Sequence, residues 1–71
     1  MAGVDKVESA VEATDIALAF VKKHRQFARP LKAVREDGIW SVEIDVGPFF
    51  LSVAKLKLDA KTGKVLEYNI P

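Results

Sequence analysis

From Val7 onward, Ala10, Val11, Thr14, Leu18 and Val21 recur at steps of three and four residues and are joined by Ala13, Ala17 and Phe20. Glu8, Glu12, Asp15, Lys22 and Lys23 take the opposite side. This is one apolar face of a helix, sustained for about five turns. Asp5 and Glu8, three residues apart, fit the N-cap and N3 positions of a capping-box-like start, which predicts a helix beginning at Asp5. Pro30 disfavours a helical Arg29, so the helix is expected to stop near Gln26. The small side chains of Ala10, Ala13 and Ala17 would let its backbone approach a sheet closely. The apolar arc, from Ile16 and Phe20 round to Val7 and Val11, is wider than one sheet requires. Ile16 and Val11 are therefore candidates for contact with a partner or a second copy.

After Pro30 the period changes from helical to alternating. Residues 31–36 read as a strand, Asp37 and Gly38 as a two-residue hairpin turn, and residues 39–46 as the returning strand. In that second strand Trp40, Val42, Ile44 and Val46 share one face, and Ser41, Glu43 and Asp45 the other. Gly47 and Pro48 break it, and a third extended segment covers residues 49–59. Its pattern is split, because Phe49, Leu51 and Val53 are out of phase with Ala54, Leu56 and Leu58. A β-bulge or a loop-to-strand boundary is expected between Ser52 and Lys55. Residues 59–64 form a turn, and residues 65–70 a short last strand. The expected fold is α+β: one N-terminal helix packed on a three- to four-stranded antiparallel meander, in the order αββββ.

A chain of 71 residues has room for one domain and one core. With 49% apolar and 30% charged residues its composition is that of a globular protein. The absence of cysteine removes disulfides and thiolate metal sites. No stretch is apolar for long enough to form a transmembrane helix. Residues 1–5 lack the basic segment and apolar run of a signal peptide, so a cytoplasmic location is expected. A formal net charge of +1 argues against wholesale capture of nucleic acid or anionic lipid.

Three stretches together carry a family likeness. They are Ala17-Leu18-Ala19-Phe20-Val21, Asp37-Gly38-Ile39-Trp40-Ser41-Val42-Glu43-Ile44 and Leu58-Asp59-Ala60-Lys61-Thr62-Gly63-Lys64-Val65-Leu66. Over about residues 5 to 70 the chain resembles the PepSY domain, which ends in a strand, an Asp-Ala-Lys-Thr-Gly-Lys-Val-like turn and a final short strand. The resemblance implies a non-catalytic module that binds a partner. A second resemblance, over residues 37–68, is to the O-type gas-vesicle accessory proteins. It rests on Gly38-Ile39-Trp40-Ser41-Val42-Glu43-Ile44, on Val53-Ala54-Lys55-Leu56-Lys57-Leu58-Asp59 and on Tyr68.

Few residues point to chemistry. His24, the one histidine, sits where a helix C-terminus welcomes positive charge. Glu43 and Asp45 share a strand face, and ion pairs with Lys55 and Lys57 across the sheet are the expected arrangement. A small-ligand or hydrolytic site would require Glu43, Asp45 and His24 to converge. Two carboxylates are too few for a calcium cage, and the turn at 59–64 satisfies neither an EF-hand nor a P-loop, so no metal or cofactor is expected. Lys22, Lys23, Arg25 and Arg29, in a segment free of acids, are the anion-binding candidates. Phe27 is the segment's only aromatic residue, which is not the interleaving of rings and cations of a single-strand binder. Phe49, Phe50 and Leu51 are the partner-binding candidates, because adjacent rings in an extended segment point to opposite faces and one should lie off the core. The expected function is a non-catalytic protein-binding or assembly module that contacts a protein, or itself as a homodimer, through a sheet edge and this patch.

Overall fold

The computed structural model describes residues 6–70, so the expected cap Asp5 lies outside them. Helix α1 spans Ala10–Lys22 and its N-cap is Ser9. The Glu12 N–H donates to Ser9 Oγ at 3.2 Å and the Ser9 N–H donates to Glu12 Oε1 at 3.1 Å, a complete capping box. The helix starts later than the apolar spacing predicts because Val7 is committed elsewhere. Its N–H donates to the Ala60 carbonyl at 2.9 Å, and its carbonyl accepts the Trp40 indole N–H at 2.9 Å. The helix also ends earlier than Gln26. At its end the Val21 carbonyl accepts from both the His24 and Arg25 N–H groups, at 2.9 and 2.8 Å, which closes the last turn.

Four strands follow: β1 (Arg29–Glu36), β2 (Ile39–Asp45), β3 (Val53–Asp59) and β4 (Val65–Asn69). They form one antiparallel sheet in the order β1-β2-β3-β4. The β1–β2 hairpin turns through Asp37 and Gly38, with φ of 51° and 76°. Both values are positive, as the tight turn requires. The chain is thus the expected α+β arrangement of an N-terminal helix on a meander.

The helix packs against β1 and β2 and reaches β3. Ala13, Ala17 and Val21 are buried on its inner face, and the two alanines admit the sheet closely. Beneath them lie Trp40, Val42 and Ile44 from β2 and Ala54, Leu56 and Leu58 from β3. The alternation of β2 and β3 therefore selects the core, since every second side chain points to the helix. Each edge strand is interrupted once, β1 between Pro30 and Lys32 and β4 where its pairing shifts at Lys57 and Leu58. Bulges and an edge proline discourage unwanted strand pairing. Among the described residues no helix is long and apolar enough to cross a membrane.

The strand limits fall within two residues of those expected, except in the third. The third begins at Val53, so of the two outcomes foreseen near Ser52 it is the loop-to-strand boundary that occurs. Phe49, Phe50 and Leu51 lie in a loop, residues 46–52, outside the sheet.

Candidate functional site

Asp45 ends β2, and strand alternation places it on the face away from the helix, yet it is buried. Its Oδ1 accepts from the Gly47 N–H at 3.0 Å and from the Ser52 N–H at 3.2 Å. Its Oδ2 accepts from Arg29 Nη2 at 3.1 Å. One carboxylate thus ties both ends of the 46–52 loop to the start of β1. The Val46 N–H, donating to the Ser52 carbonyl at 2.8 Å, closes the same ring. Hydrogen bonds to the ionised form, above all from Gly47, hold the Asp45 carboxyl below its ordinary value despite desolvation, which acts the other way; Ser52 and Arg29 add to the lowering.

The loop also specifies its glycine. A methyl group on Gly47 would run into the Phe50 carbonyl oxygen, so no other residue fits without opening the loop. Held in this way, the loop turns its apolar side chains outward. Phe49 is 89% exposed, Phe50 86% and Leu51 68%. One ring is expected to lie off the core, and in the structure both do, because the segment is a loop and strand alternation does not apply to it.

Two surface depressions adjoin this tip. One is lined by His24, Arg25, Gln26, Phe27, Val46 and Pro48, the other by Phe27, Arg29, Asp45, Gly47 and residues 48–51. Arg25 and Arg29 therefore border the apolar tip directly, and Lys22 and Lys23 stand just upstream at the end of α1. Arg29 is engaged with Asp45, yet its side chain remains 63% exposed. Of the four basic candidates, Arg25 and Arg29 form a basic rim beside the tip, and Lys22 and Lys23 line neither depression.

The other candidates are distributed elsewhere. Ile16 is half-buried, packs against the core and lies beside Gly63, whereas Val11 is 69% exposed. The His24 ring packs on Tyr68 with centroids 6.2 Å apart, and Phe20 meets the two of them edge-on. Tyr68 pairs with Leu56 on the helix side of the sheet. Glu43 lies on the opposite face, with Lys32 Nζ 3.8 Å from its carboxylate and Lys55 opposite it in register. Glu43, Asp45 and His24 thus have separate neighbours and do not build one cleft. The ion pairs also differ from expectation: Asp45 takes Arg29, Glu43 takes Lys32 from β1, and Lys57 takes Glu67 from β4 at 3.7 Å. Among the described residues no group of three or more histidine, aspartate or glutamate side chains is placed to hold a metal ion.

The Asp45 clamp escapes a reading by alternation, which places that residue on a solvated face. The available signal is an aspartate two residues before a glycine, the spacing at which a carboxylate accepts from a backbone N–H. No family model matches the chain, and neither a curated protein nor a solved structure matches it.

Proposed function

We propose that the chain is a non-catalytic protein-binding module whose contact surface is the tip at Phe49, Phe50 and Leu51, extended by the adjoining edge of β1. The observation that carries this reading is the exposure of three large apolar side chains in succession on a loop fastened by a buried carboxylate. Isolated exposed apolar residues are ordinary, but a contiguous cluster on a rigid support has the character of an interaction site. A fixed loop lowers the entropy lost on binding, and aromatic side chains commonly contribute the largest share of interface energy. The basic rim selects the partner's chemistry, an apolar protein segment bordered by acids. Past its bulge, β1 offers an open edge for main-chain contact. The resemblance to PepSY domains, which bind partners, points in the same direction.

Backbone amide shifts test the reading. A peptide of phenylalanine and leucine flanked by glutamates should move the amides of residues 25–29 and 46–52, and the same peptide flanked by lysines should leave them in place. If neither peptide moves them, or if only phosphatidylserine vesicles do, the reading is wrong.

A further inference from the structure

We propose that the partner at the tip is a second copy of this chain, and that two molecules pair antiparallel, each tip seated in the other's groove. The inference rests on the protein-binding reading above and assigns its occupant.

The groove lies between the first half of α1 and the start of β1. Ala10, Val11, Thr14, Asp15, Pro30 and Ala33 line it, with a volume of about 320 Å³. The depression is open to solvent and can receive an aromatic ring laid against Val11, Pro30 and Ala33. Apart from Thr14 and Asp15 its walls are apolar, and Val11, left 69% exposed in the single chain, is the largest apolar surface that such a ring would cover.

The charges match as well. Asp15, one turn on from Val11, lines the groove beside it. Arg25 and Arg29 line the depressions that adjoin the tip. An apolar projection bordered by two arginines and a recess bordered by an aspartate are therefore present on one molecule, and each complements the other in charge. Because α1 is acidic in its first half and basic at its end, two copies laid antiparallel bring unlike halves together at both ends. The start of β1 contributes Arg29 to the tip and Pro30 to the groove, so the two surfaces share one flank. A two-fold arrangement can then satisfy both contacts at once and close the assembly as a dimer.

The chain has no cysteine, which makes cross-linking a direct test. Val11→Cys and Phe50→Cys replace exposed side chains, and circular dichroism checks that both variants fold. Under mild oxidation the double variant should give a disulfide-linked dimer. An equimolar mixture of the two single variants should give the same dimer, while either single variant alone should give little. Wild-type sedimentation should show a concentration-dependent dimer that weakens in high salt. Absence of a cross-link above the single-variant background, or a ladder of higher oligomers, overturns the proposal. A monomer whose tip amides still respond to the glutamate-flanked peptide overturns self-pairing and leaves protein binding intact. A monomer that responds only to vesicles overturns both.

Discussion

Asp45 organises the tip, and its chemistry makes the loop sensitive to acid. Its folded-state pKa lies below the usual aspartate value of about 3.9 because the ionised form accepts from Gly47, Ser52 and Arg29. A depressed carboxylate adds stability that is present above its unfolded-state value and is lost as the pH falls through the folded-state value. Wild-type thermal stability should therefore fall below about pH 4, and Asp45→Asn should flatten that dependence, as melting curves between pH 2 and pH 7 would show. The side-chain carbonyl of the introduced asparagine can still accept from the two backbone N–H groups, so Asp45→Ala should lower the melting temperature further than Asp45→Asn does. Gly47→Ala should open the loop without unfolding the sheet, seen as faster hydrogen exchange at the amides of residue 47 and Ser52. The importance of Asp45 does not follow from strand alternation, which fixes the face of a side chain but not what a neighbouring loop folds over it.

The helix and the sheet owe their limits to local chemistry as much as to periodicity. Ser9 and Glu12 exchange hydrogen bonds and so define where α1 begins. Ser9→Ala should cost about 1 kcal/mol in chemical denaturation. Trp40 joins the core to the segment before α1 through its indole bond to the Val7 carbonyl. Trp40→Phe leaves that buried acceptor without its indole donor and should cost about 1–3 kcal/mol. The inner face of α1, the Asp37-Gly38 hairpin and the alternation of β2 and β3 are all readable from the residues, because each depends on spacing or on one backbone requirement. The helix start is less so, since two acid-rich openings compete and the choice of Ser9 depends on Val7 pairing with Ala60, at the far end of β3. The start of β3 is foreshadowed by the phase change near Ser52, but phase alone does not say that Phe49 and Phe50 leave the sheet altogether.

The whole molecule separates its core from its apolar tip. The core, between α1 and the sheet, is complete without the tip, and the tip contributes nothing to that core. Such a division explains how a small domain can carry two exposed phenylalanines: a buried carboxylate and an obligatory glycine hold them outside, and the core residues account for folding. The tip, its bordering arginines and the groove beside Asp15 are consequently free to serve association. Thermal and chemical unfolding of the Phe49→Ser, Phe50→Ser double variant, at a concentration low enough to keep the protein monomeric, tests this division most directly. Surface positions change stability by no more than about 0.5 kcal/mol, so the double variant should unfold close to wild type. A loss of about 3 kcal/mol or more, the cost of truncating a buried phenylalanine, would show that the rings belong to the core and would contradict the account.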